Sequence, residues 1–418
     1  MKGRILIYGM HGYRNLGAES RLVAMVGELR RRLPDAEIVT NSLHRSALDY
    51  LKGQATVRYF PPAAYRPASR RLIEDADCVI LSEGAMIGDR FSPALVDGLT
   101  RALEHAQERE IATVGLALDS NYLAPERRAR TVAALNRISL LTVRAPGAEA
   151  GLREYGVEVP MPVTADCAVS MPLPGADAGR AFRERTGLGE APLHAIAPVD
   201  FHMWPALMRP VGRPADFVRW PYRGTWPDGG RARSERLRRD WVAHARHLLE
   251  AHPRARVMVV LMDRGDVRFG RRIHGEIGVP ERTILLDGQT STPAAISAAL
   301  GQCDSLTSSR YHALVLSSAY GVPAVALGHD NRTRFFCEDL GLERYWVAHD
   351  TPDVPGALRE RHEAVLAERD AVRERIGAGF EDMKARDARN YDLVADLLEG
   401  IGYRVERGVP ATPAAAAL

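Results

Sequence analysis

The stretch Thr307–Asp330, TSSRYHALVLSSAYGVPAVALGHD, sets an arginine and a histidine two residues apart, Arg310 and His312, just before a long apolar run. Arginine is a permanent cation whose planar fork of donors matches a phosphate or a carboxylate. Histidine gives or takes a proton near neutral pH. CDSLTSS (303–309) reads as a strand and YHALVLSSAYG (311–321) as a short helix stopped at Gly321, the usual C-terminal residue. Ser308, Ser309 and Arg310 then fall at a strand-to-helix junction, whose free N–H groups favour an anion. The pair reads as an anion site with a proton donor, rather than as polar residues that happen to open a helix.

Four other loops carry polar residues at strand ends. GMHGYRNLGAES (9–20) has glycines at 9, 12 and 17 that let backbone N–H groups approach an anion at a helix start. Asn15, Gly17 and Glu19 are its candidate contacts, although a plain turn would read the same way. In SEGAMIGDR (82–90), Glu83 and Asp89 beside Gly84 can bind hydroxyls or act as a base. Asp89 or Ser92 can equally cap the next helix. Arg144 closes the strand LLTVRA and is either a fork for phosphate or carboxylate at a cleft mouth or one half of a structural salt bridge. Asp166, in ADCAVSMP, either orients an arginine or sits in a surface turn.

Two series of alternating strands and helices must position these loops. The first has strands at Gly3–Met10, Glu37–Ser42, Asp75–Gly84, Ile111–Leu118, Leu140–Ala145 and Pro162–Met171, with helices between them. The second has strands at Leu193–Phe201, Ala255–Asp263, Arg282–Gly288, Cys303–Ser309 and Pro323–Asp330. Such alternation predicts parallel, doubly wound sheets. The fold class is therefore α/β, with two Rossmann-like doubly wound domains facing a cleft, and ligands expected outside the C-terminal strand ends. We expect an N-terminal domain over 1–172, a Pro/Gly/Ala-rich linker over 173–192, and a C-terminal domain over 193–350. Residues 201–230, rich in Trp and Pro, read as an insertion, either a substrate-covering loop or an irregular packed segment. Charged helices are expected over 351–404, broken near Gly377–Gly379, and a disordered tail over 405–418.

Composition narrows the function classes. The chain has 418 residues, 46% hydrophobic and 26% charged, with a net charge of +3, enough for two ordinary domains. No apolar run nears bilayer length, and the start MKGRILIYGMHG has no apolar signal segment, so a cytoplasmic location is expected. Cys78, Cys167, Cys303 and Cys337 form no CxxC and have no histidine at metal-ligand spacing. No metal and a reduced compartment are therefore expected. The arginine clusters have no nucleic-acid motif beside them, and acidic residues nearly balance them.

With those residues in hand, the chain resembles the polysaccharide pyruvyl transferase family. The resemblance runs through GYRNLGAES, ADCVILSEGAMIGD, VRAPGAEAGLREYGV, TADCAVSMP and, most specifically, SSRYHALVLSSAYGVPAVAL. It implies a GT-B-type fold and transfer of pyruvyl from phosphoenolpyruvate to sugar hydroxyls, usually as a ketal, with release of phosphate. Phosphoenolpyruvate would be a co-substrate and no cofactor is implied. The family's R-x-H residues fall on Arg310 and His312, and its first-half arginine falls on Arg144, as donor-binding and catalytic groups. A basic residue after the strand PAVAL falls on Arg332 or Arg334. Where the family's first loop carries Asp this chain has Ala18, and Glu83 stands where Gly is common. The implied partner is a small-molecule or glycan acceptor, with peripheral membrane association if that acceptor is lipid-linked. No nucleic-acid partner is implied, and an oligomer is allowed. Two other readings are a GT-B-like glycosyltransferase using a nucleotide sugar and a catalytically silent binding protein of the same fold. For the first of these, no clear ribose-binding acidic residue follows the second-half strands.

Overall fold

The computed structural model describes residues 3–60, 65–85, 87–89, 92–203, 206–208, 222–224, 226 and 228–408. Fourteen strands form among them. The first six are β1 (Arg4–Tyr8), β2 (Glu37–Ser42), β3 (Thr56–Tyr59), β4 (Cys78–Leu81), β5 (Ala112–Leu118) and β6 (Leu140–Val143). They pair in the order β3-β2-β1-β4-β5-β6, all parallel. After β7 (Leu193–Ala197) comes a two-stranded antiparallel ribbon, β8 (Ala206–Met208) with β9 (Tyr222–Gly224). Then follow β10 (Arg256–Leu261), β11 (Thr283–Asp287), β12 (Ser305–Ser308), β13 (Ala324–Gly328) and β14 (Trp346–Ala348). The second sheet, in the order β11-β10-β7-β12-β13-β14, is also all parallel.

Both sheets repeat one winding, in which the strand order reverses between the first and fourth strands, β1/β4 and β7/β12. Loops diverge at such a reversal and leave a crevice beyond the strand C-termini. The central strands explain themselves. RILIY, CVIL and AVALG are apolar and buried along almost their whole length, as a sheet covered by helices on both faces requires. The two halves face a cleft in the Rossmann-like arrangement expected. One apolar core runs from Ile5 and Ile7 through Leu16 and Leu22 into Ile196 and Leu306 of the second half.

Some elements differ from expectation. Pro162–Met171 is not a strand. Val163 makes a single bridge to Val143, and Cys167–Ser170 is a 3-10 turn in which the Asp166 side chain accepts the Ala168 N–H. Residues 173–192 contain a helix, Ala176–Arg185, whose Phe182 joins the core. β3 and β14 are short edge strands without a clear apolar pattern. The C-terminal helices break at Glu368, not near Gly377–Gly379. Val354–Ala367 ends there and Arg369–Gly400 runs unbroken through both glycines. That last helix returns to the first half, where Asn390 accepts from the Thr142 and Thr164 hydroxyls at 2.6 and 2.8 Å and donates to the Ala165 carbonyl at 3.0 Å. Within 201–230, much of the Trp/Pro-rich insertion lies outside the described residues, as do residues 409–418 of the tail. The four cysteines are buried and free. Among the described residues, no helix is long and apolar enough to cross a membrane.

Candidate active site

A cavity of about 150 Å³ opens where the two reversal points meet. The first half contributes Asn15, Glu83 and Asn121, and the second contributes Asp263, Arg310, His329, Asp330 and Arg332. Three of these residues begin helices. Asn15 caps Leu16–Arg32, with its Oδ1 accepting the Ala18 N–H at 3.1 Å. Arg310 precedes Tyr311–Ser318, and Asp330 caps Asn331–Asp339. Three helix N-termini thus bring partial positive charge to one space.

The two arginines of the cavity are held alike. Arg310 donates through Nε (2.8 Å) and Nη2 to the buried Asp266, and Arg332 donates through Nε (2.8 Å) and Nη2 to Asp330. In each case Nη1 has no hydrogen-bond partner among the described residues. Burial works against the Arg310 charge, but Asp266 and Asp263 outweigh it and keep the guanidinium protonated. Burial pushes Asp266 up to about 6 although Arg310 opposes this. Burial would also raise Asp330, yet Arg332 and His329 hold it well below the usual carboxylate range. On the opposite wall Glu83 accepts the Met10 N–H at 2.9 Å, and burial raises its pKa.

Behind the cavity lies a second, closed cluster centred on Asp166, which is fully buried. Its Oδ2 accepts from Arg21 at 2.8 Å and from Arg144 at 2.7 Å, and the His312 Nε2 stands 3.6 Å away. Burial would raise the Asp166 pKa, but Arg21, His312 and Arg144 hold it well below its ordinary range. Arg144 also donates through Nε and Nη2 to Asp119, and its guanidinium lies 4.5 Å from the Tyr311 ring centroid. Burial lowers the His312 pKa, with Asp166 pulling the other way. This cluster also joins the halves. A Cβ at Gly17 would come within 2.1 Å of the His312 Nδ1, so only glycine admits the ring. Gly84 similarly backs onto the guanidinium nitrogens of Arg144 and Arg21.

The expected site residues therefore divide. Arg310, Asn15 and Glu83 line the cavity. Arg144, expected at the cleft mouth, is buried in the Asp166 cluster because all three of its nitrogens are taken by carboxylates. His312 packs between Asp166 and Gly17 with its side chain 19% exposed, as open as that of Arg310. Ser308 braces the turn, its Oγ accepting from the Arg310 N–H and donating to the Arg310 carbonyl, both at 2.9 Å. Ser309 is buried and donates its N–H to the Ala197 carbonyl. Glu19 faces away from the cavity, accepting from the Arg14 N–H at 3.0 Å and the Tyr50 hydroxyl at 2.8 Å. Burial raises its pKa to about 7. Asp89 does not cap the next helix. It accepts the Ala124 N–H at 3.0 Å before the helix Pro125–Leu135 and pairs with Arg127.

Sequence reasoning missed Arg21, Asp119, Asp263, Asp266 and His329. Arg21 had a usable signal, since it sits inside the apolar stretch of its helix and is buried along with its neighbours.

A family model described as polysaccharide pyruvyl transferase matches residues 15–331. No curated protein matches the chain. Among solved structures, Anabaena Alr3699/HepE in complex with UDP and glucose is 13% identical with a TM-score of 0.59, over 95% of this chain and 100% of that one. A putative UDP-N-acetylglucosamine 2-epimerase from Listeria monocytogenes is 12% identical at TM-score 0.61, covering 98% and 100%. A glycosyltransferase from Rickettsia africae is 10% identical at 0.58, covering 95% and 99%. At these identities the likeness is one of fold, two Rossmann-like domains of the GT-B type.

Proposed function

Because the chain belongs to the polysaccharide pyruvyl transferase family, we propose that it moves a pyruvyl group from phosphoenolpyruvate to hydroxyls of a sugar or sugar-like acceptor, releasing phosphate. The observation that carries this reading is the wall of the cavity. Three helix N-termini and two arginines, each with an uncommitted Nη1, surround one small space. Phosphoenolpyruvate carries a phosphate and a carboxylate, and a guanidinium beside each suits that pair of charges. Arg310 and Arg332 are the donor-binding groups in this reading. The Asp166 cluster, with Arg144 and His312, holds the two walls in register. The reaction as written needs no metal or resident cofactor.

The acceptor has room next door. A groove of about 860 Å³ shares Met10 and Leu95 with the cavity, and Arg66, Arg70 and Arg101 line it. A glycan lying there would present a hydroxyl toward the donor, and a lipid-linked glycan would bring the protein to a membrane surface from the cytoplasm. To test the reading, the protein is incubated with phosphoenolpyruvate and pools of envelope-type glycans. Phosphate release with a matching gain of pyruvyl mass on the glycan is expected. Turnover with a nucleotide sugar, and none with phosphoenolpyruvate, would overturn it.

A further inference from the structure

Adding an acceptor hydroxyl to C2 of phosphoenolpyruvate makes two proton demands. C3 must gain a proton, and the attacking hydroxyl must lose one to a positioned base. The R-x-H pair implies His312 for the first. The second calls for a group in the cavity with an uncommitted oxygen or nitrogen. Among the described residues, three carboxylates line the cavity, Glu83, Asp263 and Asp330. Two of them are committed. Asp330 accepts from the Arg332 Nε at 2.8 Å and from the Arg332 backbone N–H at 3.0 Å. Asp263 accepts the Gly265 N–H at 2.6 Å and stands 3.9 Å from the Arg310 Nη2. His329 faces Asp330 through Nε2 at 3.3 Å, and its Nδ1 is buried. Glu83 is the exception. Its Oε1 accepts the Met10 N–H at 2.9 Å, and its Oε2 has no hydrogen-bond or ion-pair partner among the described residues. Its place points the same way. Met10, to which Glu83 is tied, lines both the cavity and the neighbouring groove, as does Leu95. Glu83 thus stands on the rim that a hydroxyl crosses from the groove to the donor.

We propose that Glu83 is a catalytic residue, the base that takes the proton of the attacking acceptor hydroxyl. This rests on the pyruvyl-transfer reading above. In the first step the hydroxyl oxygen bonds to C2 and its proton passes to the Glu83 carboxylate. The electron pair of the double bond takes a proton from the His312 imidazolium, turning the C3 methylene into a methyl group. In the second step a neighbouring hydroxyl bonds to C2 and gives its proton to the His312 imidazole. The bond from C2 to the phosphate oxygen breaks, and phosphate leaves with the proton that Glu83 held. Both side chains are restored. One ketal and one hydrogen phosphate result, with no oxidant or reductant.

The groups around Glu83 bear on its titration. Burial raises its pKa, the Met10 N–H and Arg21 oppose this, and Asp263 adds to it. Glu19 acts on it from the helix Leu16–Arg32. Arg144 lies behind Gly84, and His11, beside Gly9, is held neutral by burial. Arg310, His329, Asp330 and Arg332 face it across the cavity. The base works ionised, so turnover is lost as pH falls through a pKa that lies above the ordinary 4.5. The test measures phosphoenolpyruvate affinity by calorimetry, and kcat and KM against pH on the glycan pools named above, for wild type, E83Q, E83D and E83A. Glutamine keeps the shape and the bond from the Met10 N–H. For E83Q we expect kcat to fall by about 100-fold or more, with affinity for phosphoenolpyruvate within about threefold and the low-pH limb of the profile removed. E83D should keep that limb at a reduced rate. Added formate should restore part of the rate of E83A, which also answers a loss caused by misfolding. Two results overturn the assignment alone: E83Q turnover within about threefold of wild type, or a slowed E83Q that keeps the low-pH limb. Absence of phosphoenolpyruvate binding by the wild type overturns the pyruvyl-transfer reading itself, and with it this proposal.

Discussion

Arg144 and Arg310 both follow a parallel strand, one after β6 and the other at the end of β12, and both grip carboxylates. Their surroundings separate them. Arg144 is 4% exposed and spends all three guanidinium nitrogens on Asp119 and Asp166. Arg310 is 20% exposed and spends two nitrogens on Asp266, leaving Nη1 beside the cavity. The same side chain has every donor committed in one place and one donor left over in the other. What distinguishes them is whether the donors are exhausted, not how strongly charged the neighbourhood is. The Asp166 cluster is the closed region and the cavity wall the open one. Substitutions in the first should cost stability, and substitutions in the second should cost binding.

The widest gap is expected at Asp166. The change Asp166→Asn keeps the shape but leaves Arg21 and Arg144 facing each other with half their buried counter-charge gone. Breaking a buried pair in this way costs about 3–5 kcal/mol, so chemical denaturation should show a lower midpoint or a partly unfolded variant. A near-normal midpoint would break the comparison. Gly17→Ala tests the seam between the halves. The new methyl would drive the His312 ring from its place, and overpacking of this kind costs about 1–3 kcal/mol, read as a shift in thermal midpoint. If the midpoint stays put, the halves are not held together at this point.

Much of this division could be read from residue types, and part could not. The alternating strands announced two wound sheets, because central parallel strands are buried on both faces and must be apolar throughout. The edge strands β3 and β14 escaped because an edge needs neither length nor a continuous apolar run. Arg310, Asn15 and Glu83 were legible because strand ends at a reversal point open on a crevice. The placements of Arg144 and Glu19 were not legible for a physical reason: a charged residue in such a loop looks the same whether its partners are in solvent, in a ligand or in the next loop. Asp119 and Asp166, separated by 47 positions in the chain, meet only once the sheet is built. His329 was hidden inside a stretch read as the end of a strand.

On the open side the expected effect is smaller and of another kind. Arg332→Gln removes one guanidinium, itself 28% exposed, from the cavity, and the Asp330 it leaves still caps the helix through the residue-332 N–H and keeps His329 3.3 Å away. Loss of a charged hydrogen bond to the donor should weaken phosphoenolpyruvate binding about tenfold. The thermal midpoint should stay within about 2 °C of wild type, as for most partly exposed substitutions. Calorimetric titration and a melting curve on the same sample give both numbers. A variant that melts early while binding normally would place Arg332 in the closed class.

The smallest effect concerns protons and keeps two pH responses apart. Outside the cavity, His194, His244, His252 and His362 pack ring to ring, with centroids 4.7–6.2 Å apart. The Ser305 hydroxyl bridges His194 and His362 at 2.8 and 2.7 Å. Burial, reinforced by the neighbouring histidines, pushes His362 down to about 2, and burial lowers His244 to about 3 and His194 to about 4. The native chain therefore refuses protons that the unfolded chain accepts below the ordinary value of 6.5. Each such histidine lowers stability as pH falls through 6.5 toward its folded value. Glu19 and Asp387, raised by burial to about 7, act oppositely and lose their contribution as pH rises, so the slope of the wild type alone is ambiguous. The difference between wild type and His362→Gln is not, since only one proton site changes. From pH 7.5 to pH 6, the wild type should lose about 1 kcal/mol more than the variant, read from denaturant midpoints at the two values. Equal losses would mean that His362 titrates normally and that its surroundings are not closed. A full difference, with the pH profile of turnover unchanged in the variant, would fix the acid sensitivity of the fold in this cluster and leave the activity limb to the cavity wall.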